Sequence, residues 1–391
     1  MNSEVSWSRC SEALARTAVA RVEREYVRLR LRSRQFSGRQ GWRRVLLITE
    51  QNSIARSQIH PFWFYGWELG RERIELREIN LNQFNEQPER APRGADVVVL
   101  QAWFTITPER LAELVDTIRR YNPDARIAFF DCAAPTDLRM ATTLADKIQV
   151  YVKKSLLRDR AQYSQPTLGD TNLTDYYQKL YGIADREVTF PIPDGFLDKL
   201  HVGPGFFTHE NMLHTFFSQS QPATSEKTLD VHARLGKKGT PWYSRMRSES
   251  VAALKQIGGL RVVDTGGVER RQYLRELAAS RICLSPFGYG EIAWRDYEAV
   301  LCGALLVKPD MSHCETDPNI FVPHETYVPI RWDFSDMEEK IRYYLDRPKE
   351  SAEITRRAYR LLHDYCKEKR FLQQMERVLG APVHSRAALA T

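Results

Sequence analysis

Short apolar runs recur along this chain with room for one helix between successive runs, and they do so in two separate blocks. In the first block they are Val45–Thr49, Ile74–Ile79, Asp96–Gln101, Ala125–Phe130 and Ile148–Val152. In the second they are Leu229–Leu235, Leu260–Asp264, Arg281–Leu284, Ala304–Val307 and Tyr327–Ile330. Strands this continuously apolar are covered on both faces, which calls for crossover helices and a parallel sheet. The stretches between them supply the helices: Pro61–Leu69 after a loop at Gln51–Gln58, Glu109–Tyr121, Tyr243–Ile257, Arg270–Ala279 and Ile292–Leu301. Thr107 is placed to cap the second of these, with Pro108 at its first position. The chain therefore reads as α/β, with two parallel halves, and its 391 residues are enough for two cores.

Between the halves, residues 156–227 read as loops and short helices, with a turn at Pro193-Asp194-Gly195. Helices near 335–346 and 350–379 close the chain, and the second is long enough to cross back to the first half.

The stretch 281–310 carries the most chemistry. It runs strand, glycine-rich turn, helix, small-residue corner, strand. Gly288-Tyr289-Gly290 lets backbone N–H groups approach a ligand, and the helix that follows points its positive end at that turn. Arg295 and Glu298 are three apart and share one helix face. A guanidinium suits a diphosphate, and a carboxylate suits the vicinal hydroxyls of a ribose. Together they describe a pocket for a sugar nucleotide.

The elements Pro286, Gly288, Arg295, Glu298-Ala299, Gly303 and Leu305–Val307 resemble the donor-binding part of GT-B glycosyltransferases. The likeness is to the exostosin-like and spore-coat CgeB-like transferases, and it is firm over about 281–330. It implies two Rossmann-like domains facing a cleft. Residues 42–227 would form the acceptor domain with its linker, 228–366 the donor domain, and 367–391 a terminal helix and tail. Residues 1–41 would be a basic helical arm. Many retaining members carry two glutamates with seven residues between them. Here Glu291 and Glu298 have six, so both the retaining and the inverting outcome stay open.

His232-Ala-Arg234-Leu-Gly236-Lys237-Lys238-Gly239 follows the first strand of the second half, at the edge where parallel sheets bind ligands. Arg234, Lys237 and Lys238 suit a diphosphate leaving group. The chain contains no Asp-x-Asp pair to hold a divalent cation on that group, so no metal and no cofactor are expected. His313, Glu315 and Asp317 read as a loop cap. Inverting transfer needs a base, for which Glu50, His60 and Asp131 stand at or near strand ends. Asp131 is the expected choice, with Glu291 as the second catalytic carboxylate, and the alternative for Asp131 is capping the next helix.

Composition bounds the partners. Residues 1–44 hold eleven arginines against four acidic residues, which accounts for the whole net charge of +7. The remainder is balanced, so nucleic acid is not an expected partner. Leu14, Val22, Tyr26 and Leu29 recur at helical spacing, and Arg21, Arg24, Arg28 and Arg32 form a second stripe. This basic amphipathic pattern fits either an anionic membrane surface or packing on the body. No window holds 18 uninterrupted apolar residues and residues 1–35 lack an apolar leader core, which points to a cytoplasmic, peripheral protein. The six cysteines form no CxxC pair and read as reduced thiols.

The expected activity is transfer of a sugar from a UDP- or GDP-type donor to a glycan, lipid-linked or protein acceptor. The alternatives are a non-catalytic sugar-nucleotide-binding protein and a nucleotide-sugar epimerase of the same fold.

Overall fold

The computed structural model describes residues 35–222, 225–264, 266–380 and 383. The helical arm expected over residues 1–41 falls almost wholly outside the described residues. Two parallel sheets form the body. The first has six strands in the order Ile74–Asn80, Arg43–Thr49, Val97–Ala102, Arg126–Asp131, Val150–Lys153, Leu200–Val202. The second has five, in the order Val262–Val263, Leu229–His232, Ser280–Leu284, Leu305–Pro309, Val328–Ile330.

Alternation along each strand divides the first sheet between two cores. Leu46, Ile48, Val98, Leu100, Ile127 and Phe129 pack with Leu111, Leu114 and Ile118 of the helix Pro108–Tyr121. Val45, Leu47, Val97, Val99, Phe130 and Val152 face the other way and join a buried apolar cluster that continues into the second sheet. Thr107 caps Pro108–Tyr121 as its sequence suggests, its Oγ1 accepting from Arg110 N at 3.2 Å.

Three expectations are corrected. The stretch Gln51–Gln58 is not a loop, because the helix begins at Ser53 under an Asn52 cap and runs to Phe64. Pro61 sits inside this helix rather than at its start. Proline has no N–H to give Ser57 O four residues back, and that carbonyl instead accepts from Thr208 Oγ1 at 2.6 Å.

The linker, second, contributes a strand. Leu200–Val202 adds to the first sheet beside Val150–Lys153, but three residues are too few to show a period. The turn at Pro193-Asp194-Gly195 does form, with Phe196 N donating to Pro193 O at 3.0 Å.

Third, the terminal helix is broken. Helix Pro348–Lys367 stops, Lys369 adopts a left-handed conformation (φ 56°), and Arg370–Gln374 sets off in a new direction. The break lands Phe371 edge-on against Phe62 at 5.0 Å and seats the chain end on the first sheet. There Tyr65 Oη donates to Cys366 O at 2.9 Å, and Arg377 donates to Leu200 O at 2.9 Å. The return to the first half is therefore observed, through three helices rather than one.

Candidate functional site

The carboxyl edge of the second sheet opens into a cavity of about 820 Å³. Strand Leu229–His232 delivers the loop with Arg234, Gly236, Lys237 and Lys238 to one wall. Strand Ser280–Leu284 and the helix Trp294–Leu301 deliver Ser285, Pro286, Ala293, Arg295 and Glu298 to the other. The helix starts at this wall, with Asp296 Oδ2 accepting from Ala293 N at 2.8 Å. The remaining unpaired N–H groups of its first turn add positive potential.

Seven cationic side chains line the cavity against two carboxylates, Asp264 and Glu298. Arg234 donates to Glu276 at 2.5 and 3.0 Å. Lys255 lies 2.8 Å from Asp264, and Arg270 lies 2.8 Å from Glu298. The other four have no carboxylate partner among the described residues. Arg247 donates to the carbonyls of Phe287 and Gly236 at 3.0 and 3.1 Å. Arg295 donates to Arg234 O and to His232 Nδ1. Lys237 and Lys238 are exposed at the rim and bond to no described residue. The cavity is built for a polyanion.

His232 lies under this wall. Burial, with the neighbouring Arg295 charge adding to it, pushes its imidazole down to about 3, so the ring is neutral. Because Arg295 donates to Nδ1, the ring proton sits on Nε2. The neutral ring thus orients the Arg295 guanidinium and leaves its charge uncompensated. Glu298 is 4% exposed and accepts from Arg270 Nη1 at 2.8 Å, a guanidinium delivered from the start of a different helix.

Of the residues singled out from sequence, the structure brings Arg234, Lys237, Lys238, Arg295 and Glu298 together in this cavity. It does not bring Gly288, Tyr289, Gly290, Glu291 or Asp131 to the cavity lining. Gly288 N donates to Gly290 O at 3.0 Å, which closes the turn on itself. Tyr289 stacks on Tyr243 at 4.5 Å, and its hydroxyl accepts from Thr240 N at 3.1 Å, which holds the end of the lysine loop. Gly290 meets the first domain so closely that a Cβ there would lie 1.8 Å from Ala134 O. Only glycine permits that approach. Glu291 is fully buried at the same seam and accepts from Thr136 Oγ1 at 3.0 Å.

Asp131 ends the fourth strand but caps no helix. Its Oδ1 accepts from Ala133 N at 2.8 Å in a turn, and its Oδ2 accepts from Lys153 Nζ at 2.6 Å and Tyr151 Oη at 2.7 Å. Burial alone would raise this carboxyl. The Lys153 charge and these hydrogen bonds outweigh it and hold the group below the usual carboxylate range. Nearby, burial pushes the Lys154 amine down to about 8.

Sequence reasoning passed over Arg247, Lys255, Arg270, Tyr273 and Trp294, which also line the cavity. Arg247 and Lys255 come from one helix and Arg270 and Tyr273 from the next, so no local spacing joins them to the loop motifs. Trp294 stacks on Phe206 at 5.2 Å and so couples the helix Trp294–Leu301 to the segment between the two sheets.

Residues 225–377 match the model of a family described as glycosyl transferase-like. The match spans the whole second sheet and every cavity-lining residue. Comparison with curated proteins gives no match. Among solved structures, the chain is similar to an alpha-glucosyltransferase in complex with UDP-glucose and DNA containing an abasic site. That pair shares 10% identity over 86% of this chain and 100% of the other, with a TM-score of 0.46. A glycosyltransferase from Rickettsia africae ESF-5 shares 10% identity over 86% and 99% of the two chains, at a TM-score of 0.47. Sucrose-phosphate synthase from Thermosynechococcus elongatus shares 10% over 86% and 98%, at 0.46.

Proposed function

We propose that this protein is a GT-B glycosyltransferase that moves a sugar from a nucleotide-diphosphate donor to a glycan, lipid-linked or protein acceptor. The observation that carries the reading is the cavity at the carboxyl edge of the second sheet, where seven cations meet two carboxylates inside the segment matched by the glycosyl transferase-like model. In this reading Lys237, Lys238, Arg247 and Arg295 take the diphosphate and stabilise it as it leaves, with no divalent cation on it. Glu298 takes the ribose hydroxyls, exchanging its bond to Arg270 for bonds to the sugar. The first domain shapes the acceptor side across the seam at Ala134 and Thr136. We place the protein in the cytoplasm, resting on an anionic membrane surface through its arginine-rich first 44 residues.

A thermal-shift screen with UDP, GDP, dTDP and CMP and their sugar conjugates tests the reading, since a ligand that binds only the folded state raises the melting temperature. One diphosphate series is expected to stabilise at micromolar concentration. The absence of stabilisation by any of them would refute the proposal. Release of free nucleoside diphosphate from the stabilising donor then separates a transferase from a protein that only binds.

A further inference from the structure

Two loops of the second sheet bring Glu291, His313 and Cys314 together at the domain seam, away from the cationic cavity. One ligand-type atom of each, a carboxylate oxygen, an imidazole nitrogen and a thiol sulfur, lies within 4.8 Å of the other two. Glu291 is fully buried, Cys314 is 2% exposed and the His313 side chain 18%. Glu291 Oε1 accepts from Thr136 Oγ1, but Glu291 Oε2 and His313 Nε2 are buried without a hydrogen-bond partner. His313 Nε2 lies 3.8 Å from Glu291 Oε1, beyond hydrogen-bond reach. Two buried polar atoms left unsatisfied within one small cluster are costly unless a bound group satisfies them.

We propose that this cluster is a binding site for a thiophilic divalent cation, with zinc the best fit. The donor set decides the class: thiolate and imidazole select zinc over magnesium or calcium, which prefer oxygen alone. Charge decides it as well. A thiolate and a carboxylate carry two negative charges, so a dication with a neutral imidazole leaves the buried site neutral. Zinc–ligand bonds of about 2.0–2.3 Å put tetrahedral ligand atoms roughly 3.3–3.8 Å apart, so the side chains close by on the order of 1 Å around the ion. The fourth position takes water. Binding proceeds with loss of the Cys314 thiol proton to solvent.

The place of the site gives it a purpose. Glu291 follows Gly290, which packs against Ala134, and Cys314 pairs in antiparallel fashion with Leu157 of the linker side. Arg158 N donates to His313 O at 2.9 Å. An ion here ties the loop before the donor-side helix to the loop after strand Leu305–Pro309 and sets how both meet the first domain. The inference does not depend on the proposed sugar transfer.

The test uses the full chain. Protein purified without chelator should carry about one zinc per chain by mass spectrometry of metals. Protein stripped of metal and titrated with Co²⁺ should develop a thiolate-to-cobalt charge-transfer band that saturates at one equivalent and is displaced by Zn²⁺. Cys314→Ser should abolish that band. His313→Gln should weaken zinc binding by at least about tenfold, since even outer-shell partners are worth that much. Cys302→Ser, which alters a thiol outside the cluster, should leave the band intact. Absence of both bound zinc and the cobalt band in the wild-type protein overturns the proposal, and this arm needs no variant to fold. A band that survives Cys314→Ser overturns it equally, and points to adventitious binding at another cysteine.

Discussion

The carboxylate of Asp131 lies 2.6 Å from the ammonium of Lys153, and both are buried at the carboxyl edge of the first sheet. A base must be free to accept a proton from the acceptor, and this carboxylate is already shared among Lys153, Tyr151 and Ala133 N. The pair is therefore expected to anchor the strand ends. Asp131→Ala leaves a buried ammonium without its counter-charge and should cost about 3–5 kcal/mol of stability. Asp131→Ala combined with Lys153→Met should recover most of it. Urea unfolding of the three proteins measures this. A catalytic base would behave differently, with Asp131→Asn abolishing turnover at unchanged stability.

The same pair sets a pH dependence. The folded-state carboxyl of Asp131 is held below its ordinary value, so its contribution to stability is fully present above the unfolded pKa of about 3.9. It is lost as pH falls through the lower folded value. Melting temperatures between pH 7 and pH 5 should therefore show no difference in slope between wild type and Asp131→Asn, with the curves converging below about pH 4.

Glu298 is expected to read the ribose. Its loss should lower nucleoside diphosphate affinity at least about tenfold, as for a hydrogen bond to a charged group. Because Arg270 is freed at the same time, the decisive comparison is between the natural diphosphate and its 2′,3′-dideoxy analogue. Calorimetry should show wild type preferring the former and Glu298→Ala binding both alike. A preference that persists in the variant removes Glu298 from this role.

Lys237 and Lys238 should act on the ligand and on nothing else. They are exposed at the cavity rim and bond to no described residue, so Lys237→Ala with Lys238→Ala should leave the melting temperature unchanged. Diphosphate affinity should fall by about tenfold or more, and the loss should shrink as salt is raised. With cations already supplied by the chain, affinity for the diphosphate should differ by less than about threefold between EDTA and millimolar Mg²⁺.

The excess charge lies in residues 1–44, whereas every residue lining the cavity lies after residue 230. Deleting residues 1–34 should weaken binding to anionic liposomes steeply, at about 1 kcal/mol per arginine held near the surface, and leave nucleotide affinity within about threefold. Flotation in low and high salt checks the first part, and calorimetry the second. Unaltered liposome binding with a lowered melting temperature would show instead that the segment packs on the body.

Residues close in sequence were the legible part of the site. Arg234, Lys237 and Lys238 follow one strand, and Arg295 and Glu298 share one turn of helix, so local spacing alone places each group on a known face. The other half of the cavity was not legible in this way. Arg247, Lys255, Arg270 and Tyr273 lie on the outer turns of two helices, where a basic or aromatic residue reads as an ordinary solvated position. Their convergence depends on the rotation of each helix against the sheet. The metal-type cluster shows the same limit: in sequence His313 stands with its neighbours Glu315 and Asp317, while the carboxylate that lies near it in space, Glu291, comes from an earlier loop.

By itself the sequence determined the two parallel sheets, most of their strands, and the edge that carries the cationic cavity, because period, apolar runs and caps are short-range properties of the chain. The tertiary structure decided what long-range packing alone can decide. It made Leu200–Val202 the sixth strand, kept the helix continuous through Pro61 by giving Ser57 O a new donor in Thr208, and turned the chain end at Lys369 so that Phe371 reaches Phe62. It also decided that Asp131 is neutralised by Lys153 and that Gly290 closes the seam on Ala134. Each of these is a contact between residues far apart in the chain, and its energy exists only once both surfaces are in place.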